Sequence, residues 1–222
     1  MSNIHNVLSN LFNKKLTDVA RGYNYSDSNI YILEDNFEKL QIEYPNIWES
    51  LKSCKHQRDK RTIQEYAKDL VSSWLYEDTI LFYLKSSFEI YLHGADKKRN
   101  ILPNSKVSSD SDFCIKKNGK LINIELINSY TNYWKVYQRI DLRDNKFKKL
   151  KDKQAILICI DLYSKEFYLI DLKNSNDNIN YIKYHKPYGK PAYQIFLSST
   201  KAFAFSIKNL IEQLNRFLNE KV

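Results

Sequence analysis

Glycine and proline are scarce, four of each in 222 residues. With so few turn-formers, hardly any segment has the composition of a disordered tract or a long linker. One domain spanning 1–222 is the expectation. Long apolar runs are missing as well. None approaches the roughly 18 residues that a membrane helix takes, and no secretory leader or membrane association is expected. Cysteine is thin: Cys54, Cys114 and Cys159 are widely spaced and odd in number. They exclude a disulfide framework and fit a reduced, cytoplasmic protein. The histidines His5, His56, His93 and His185 are scattered, which argues against a zinc centre.

Acidic residues are outnumbered, 26 against 35 Lys and Arg, for a net charge of +9. A basic surface suits a polyanion, nucleic acid above all. The wealth of Asn, Ile, Tyr and Lys is also what an AT-rich coding sequence produces, so charge carries limited weight. What is plentiful builds a core: 43% hydrophobic and 14% aromatic is ample for one of ordinary size.

Helical spacing covers 3–20, through Ile4, Val7, Leu8, Leu11 and Leu16, then 31–44 and 45–55, with Pro45 in the last helix's first turn. A basic run, 52–61, reads as a loop. The longest helical pattern is 62–84, where Leu70, Trp74, Leu81 and Leu84 form a stripe that includes Glu77. A carboxylate on a core-facing stripe needs a partner or a metal unless it reaches water at the stripe's edge. Phe88 to Leu92 reads as a strand, and 93–106 as a polar, basic loop. Val136 to Asp152 reads as a helix, with Arg143 and Lys146 on one face and Leu142, Phe147 and Leu150 apolar. Ala155 to Leu162 is nearly all apolar, as in a strand covered on both faces. Glu166 to Leu172 should pair beside it through Ser164-Lys165. Tyr181–Tyr184 and Tyr193–Leu197 read as outer strands, and Ile207–Val222 as a closing amphipathic helix. A strand, a helix, then a buried strand predicts parallel pairing. The fold class is α/β (α+β), a central mixed sheet flanked by helices.

The most informative stretch is DSDFCIKKNGKLINIELIN, residues 110–128. Asn118-Gly119 is a type I′ hairpin signal, since both residues tolerate positive φ. Counting outwards, Lys117 faces Lys120, Ile115 faces Ile122, Phe113 faces Ile124, and Asp112 comes opposite Glu125. Alternation puts Phe113, Ile115, Ile122, Ile124 and Leu126 on a core face, and Asp112, Cys114, Asn123 and Glu125 on the other. Opposed carboxylates repel, so they want a shared proton or a cation between them. A divalent metal is the more productive choice, solvation on an exposed face the plainer one.

A helix with a carboxylate, a strand, a hairpin bearing Asp then Glu, a helix and a buried strand, in that order, resembles the PD-(D/E)xK nuclease core. Ser111-Asp112 stands where that family has Pro-Asp, and Glu125-Leu126-Ile127 where it has (D/E)xK. SWLYED (73–78), GADKKR (94–99), KVSSDSDF (106–113) and DLRDNKF (141–147) are similar to segments of type II restriction endonucleases, over residues 65–160. The resemblance implies an N-terminal helical subdomain (1–60), a catalytic core (62–172), and outer strands with a closing helix (173–222). It implies Mg²⁺ as cofactor, held by Asp112, Glu125 and the main-chain carbonyl of Leu126, with Glu77 or Glu89 as a further carboxylate. The family's lysine falls at Ile127; Lys146 is the candidate substitute, with Lys135 and Lys116 behind it.

The activity so implied is that of a site-specific deoxyribonuclease cleaving double-stranded DNA as a homodimer, in a restriction-modification system with a cognate DNA methyltransferase. Basic and aromatic segments at 97–106, 130–139 and 183–190 are expected DNA contacts, namely Lys97, Lys98, Arg99, Lys106, Tyr130, Lys135, Arg139 and Arg143. A structure-specific repair or junction nuclease on the same core is one alternative. A catalytically silent nucleic-acid-binding protein is another.

Overall fold

A computed structural model describes residues 4–55, 60–93, 97–103, 106, 110–175 and 178–221. Parts of the basic run 52–61 and of the segments 94–99 and 106–113 lie outside the described residues. The chain divides into two compact units, one of residues 1–81 with 95–108, the other of 82–94 with 109–222.

The first unit is helical: α1 (Ile4–Phe12), α2 (Leu16–Gly22), α3 (Asp27–Leu33), α4 (Phe37–Glu43), α5 (Pro45–Cys54), and α6 (Ile63–Leu84) through Leu81. Two helices expected as continuous are each broken. Asn13 (φ 49°) ends α1 and Asp35 (φ 59°) separates α3 from α4, left-handed positions that Asn and Asp accept more readily than other residues. Asn36 then caps α4 through the Lys39 N–H at 3.4 Å. The start of α6 is a capping box: Glu65 N–H donates to Thr62 Oγ1 (3.1 Å), and Thr62 N–H to Glu65 Oε2 (2.7 Å).

The second unit is α/β, a mixed central sheet flanked by helices. Strands β1 (Glu89–Leu92), β2 (Phe113–Lys117), β3 (Lys120–Ser129), β5 (Ile156–Asp161), β6 (Glu166–Asp171) and β9 (Phe203–Ala204) form one sheet in the order β1-β2-β3-β5-β6-β9. Neighbours are antiparallel except β3 and β5, which run parallel. A second, antiparallel sheet has the order β4-β8-β7, from β4 (Arg139–Arg143), β7 (Ile179–His185) and β8 (Lys190–Phe196).

The helix expected over 136–152 is corrected. Tyr133–Tyr137 forms a short helix, α7, ended by Gln138 in the left-handed region (φ 49°). RIDLR then alternates, burying Ile140 and Leu142, and becomes β4. Only Asp144–Asp152 is helical (α8). Arg143 therefore ends a strand and does not share a helix face with Lys146. The parallel crossover survives, with a strand of the second sheet inside it.

One face of the central sheet presents Leu157, Cys159, Tyr168 and Ile170. Trp134, Phe147, Leu150 and the inward residues of the second sheet pack over them. Phe147 stacks on Tyr193, centroids 4.0 Å apart. Each such side chain contributes roughly 1.5–3 kcal/mol on burial, which is what pins α8 over β3 and β5. The closing helix α9 (Ile207–Lys221) buries Leu210, Leu214 and Leu218 and is tied to the hairpin by Lys117 Nζ to Asn215 Oδ1, 2.8 Å.

The hairpin register is the expected one: Lys117 opposite Lys120, Ile115 opposite Ile122, Phe113 opposite Ile124. Asn118 and Gly119 both have positive φ, 48° and 77°. A Cβ on Gly119 would meet nothing within 4 Å, so Gly119→Ala isolates backbone strain. Stability should fall by about 1–2 kcal/mol, read as a lower urea midpoint at unchanged m-value.

Candidate active site

The ladder between β2 and β3 stops at Phe113 and Ile124, one residue short of Asp112 and Glu125. Past that point Asp112 turns its carboxylate across the gap, and Oδ2 accepts the Leu126 N–H at 2.8 Å. An extended residue sends its N–H and C=O to the same side. The Leu126 carbonyl therefore faces the edge on which Asp112 lies, and the Asp112 carboxylate sits at the end of the ladder, against the main chain next to Glu125.

The face that carries Glu125 is covered here, contrary to a freely exposed sheet. Glu125 is 7% exposed, and its Oε2 lies 2.9 Å from Lys146 Nζ. Lys146 stands on the third residue of α8 and also donates to the main-chain carbonyl of Asp110, 2.8 Å away. Lys153, seven residues on along the same helical stripe, pairs with the Asp110 carboxylate at 2.7 Å. Leu150, between them, is fully buried and anchors the stripe. An ammonium beside a buried carboxylate offsets the desolvation that would otherwise drive the acid to neutralise. The charge of Glu125 is felt one strand over: burial, and after it that carboxylate, push the Cys159 thiol well up.

Around this core Asn123 knits the face together. Its Oδ1 accepts from Ser111 Oγ and Cys114 Sγ, both at 3.3 Å, and its Nδ2 donates to the Lys153 carbonyl at 3.1 Å. His93 was not singled out from the sequence, yet it belongs to the site. Its N–H donates to the Asp112 carbonyl (2.9 Å), extending the β1–β2 ladder by one step, and its Nδ1 lies 3.4 Å from Cys114 Sγ. His93 and Asp112 thus pair just past the ends of β1 and β2. The β1–β2 register, invisible without a turn to count from, was the missing signal.

Glu89 is opposite Lys116, with an ion pair of 3.5 Å. That is four residues along from Asp112, about 13 Å at strand rise, too far for Glu89 or Lys116 to share an ion or a phosphate oxygen with Asp112. Ile127 packs against the aromatic and aliphatic core. Asp112, Glu125, the Leu126 main chain and Lys146 are therefore the expected residues that come together.

Glu77 and Arg99 are found in other roles, within the helical unit. Arg99, 11% exposed, donates to Glu77 Oε2 at 2.8 Å and to Asp78 Oδ1 at 2.6 Å. Tyr25 completes the cluster by donating to Asp78 Oδ2 at 2.6 Å. The stripe carboxylate of α6 is thus met by a guanidinium, and Arg99 is a structural counter-ion where a DNA contact was expected. Lys97, Lys98, Lys106, Lys135 and Arg143 are exposed, while Tyr130 and Arg139 are half-buried.

Two carboxylates and a carbonyl are hard oxygen donors of the kind Mg²⁺ accepts, often with only one or two carboxylates. Among the described residues no group of three or more His, Cys, Asp and Glu is placed to hold a metal. An ion here would rest on Asp112, Glu125 and main-chain, water or substrate oxygens, and the donor set fits Mg²⁺ on those terms.

Arg99→Leu should strand two part-buried carboxylates and cost about 3 kcal/mol of stability. Circular dichroism melts would show the loss. Compared with family models and with curated proteins, the chain matches none.

Proposed function

We propose that the chain is a Mg²⁺-dependent, sequence-specific endonuclease of double-stranded DNA, on a PD-(D/E)xK-type core of the type II restriction kind. The observation that carries this reading is the convergence of Asp112, Glu125 and Lys146 beside the Leu126 main chain, at the end of a hairpin whose second strand pairs in parallel with β5.

In this reading Asp112, Glu125 and the Leu126 carbonyl hold the ion. When bound, Mg²⁺ supplies Lewis-acid stabilisation of the charge that builds on the phosphate oxygens. The protein's own part is positional. Asp112 is fixed by the Leu126 N–H, so its carboxylate is aimed before substrate arrives. Lys146 has three ammonium protons; Glu125 and the Asp110 carbonyl orient the group, and it donates to a non-bridging phosphate oxygen in the complex. That is the task the family gives to the lysine at position 127. Exposed Lys97, Lys98, Lys106 and Lys135 add a sequence-independent attraction for the backbone. A two-fold target calls for a homodimer, and a companion methyltransferase would protect the host's own sites.

Incubation with phage DNA and Mg²⁺ should yield discrete fragments, and chelation should abolish them. Asp112→Asn and Glu125→Gln should lower cleavage by roughly 10³-fold, the effect of losing several kcal/mol of charge stabilisation. Lys146→Gln should cost about 10²–10³-fold, as for one lost oxyanion donor. All three should keep binding duplex DNA. A random smear, or full activity in the carboxylate variants, would overturn the proposal; binding with no cleavage under any divalent ion would leave a silent DNA-binding protein.

A further inference from the structure

The second sheet has a chemistry of its own. On β4, Ile140 and Leu142 point into the core, so Arg139, Asp141 and Arg143 share the opposite face. Asp141, its side chain 7% exposed, accepts from Tyr133 OH and Gln194 Nε2 (3.0 Å) and lies 3.2 Å from His185 Nε2 and 3.4 Å from Arg139 Nε. Tyr188 OH donates to its main-chain carbonyl at 2.8 Å. Arg139 lies over the rings of Tyr133 and Tyr137, 6.0 and 5.3 Å from their centroids, and its Nη2 donates to Tyr133 OH at 3.2 Å. Arg143 lies over Tyr188 at 5.5 Å.

Around this layer, residues 133–143 and 179–196 carry Lys135, Arg139, Arg143, Lys183, Lys186 and Lys190 against one acid, Asp141. Since that acid is buried, the exposed charge of these segments is positive. Such a face fits a polyanion. Along the chain it leads into the helix that carries Lys146. Arg143 immediately precedes α8, three residues before Lys146, and Arg139 lies about 13 Å further back along β4, or about four base-pair steps of duplex.

Phosphate contact asks only for a positive charge, which the exposed lysines and Arg143 supply. Arg139 is built differently. Two rings, a carboxylate and a phenol fix the plane of its guanidinium. With Nη2 on Tyr133 OH and the side chain 28% exposed, part of the fork stays within reach of a ligand. A planar pair of donors held in one orientation matches the O6 and N7 acceptors of guanine in the major groove, which a flexible ammonium does not. We infer that Arg139 reads a guanine of the duplex next to the candidate active site, and that Asp141 is its positioning residue. The inference takes duplex DNA as partner from the function proposed above.

The test is selection of a randomised duplex library by binding, without divalent metal, so that cleavage plays no part. The wild type should enrich a motif with a guanine at one invariant position. Arg139→Lys should lose about 5- to 150-fold discrimination at that base pair alone, the worth of a bidentate contact. Lys135→Ala should keep the motif while binding all sequences more weakly. Asp141→Asn should weaken preference at the same position as Arg139→Lys, and the double variant should lose no more than Arg139→Lys does. No motif for the wild type, an unchanged motif for Arg139→Lys, or a uniform loss of affinity for it would each overturn the inference. Wild-type cleavage at defined sites together with any of those results would leave the nuclease proposal standing and sink this one. A motif that depends on Arg139, in a protein that never cleaves, would do the reverse.

Discussion

Positive φ at two consecutive residues is the constraint from which the candidate site follows. Asn118 and Gly119 take that conformation, and a two-residue turn admits one register. A slip of one residue would exchange the two faces of β2 and β3. Phe113, Ile115 and Ile124, all fully buried, would lose their cover, and Asp112 and Glu125 would face α9. Hydrophobic burial on one side and the placing of two acids on the other are thus the same choice of register.

The crossover between β3 and β5 does the second half of the work. It is not the single helix that a parallel pair needs at minimum; it contributes α7 and β4 before α8. Placing a strand there builds the second sheet, and the second sheet supplies part of the apolar lid, through Ile140, Leu142 and Ile195, against which Phe147 and Leu150 are held. A lysine on a helix so anchored has few rotamers left open. That is why Lys146 can meet a carboxylate in the sheet and a main-chain carbonyl ahead of β2 at once.

How much of this could be read from residues alone depends on whether the signal was local. The Asn-Gly turn, the all-apolar β5 and the β5–β6 hairpin were legible because each is set by a turn or by period-two patterning within a few residues. The helix assigned across 136–152 failed because Val136, Ile140, Phe147 and Leu150 keep helical spacing while the segment between them is a strand. What decides RIDLR is its partner β8, some fifty residues on. In the same way 3–20 and 31–44 look continuous until single left-handed residues, Asn13 and Asp35, interrupt them. Glu77 illustrates a different limit. Its place on a core-facing stripe correctly signalled a need for a counter-charge, but periodicity cannot say whether a metal or Arg99 answers it. His93 was hidden because no turn connects β1 to β2.

The position of the lysine can be argued from packing. Residue 127 shares a face with Glu125 but lies one pair deeper along β3, beside β5 at Cys159, where Ile127 packs against the apolar cluster under the second sheet. Ile127 is only partly buried, but what it packs against is apolar, so an ammonium in its place would face hydrocarbon. Approach from above avoids this. On α8, Lys146 runs its methylenes along the lid and delivers its charge at the rim, 22% exposed, where solvent and a polyanion can still reach it. A fold that covers this face with Trp134, Phe147 and Leu150 therefore suits isoleucine at 127 and a cation brought to Glu125 from the helix.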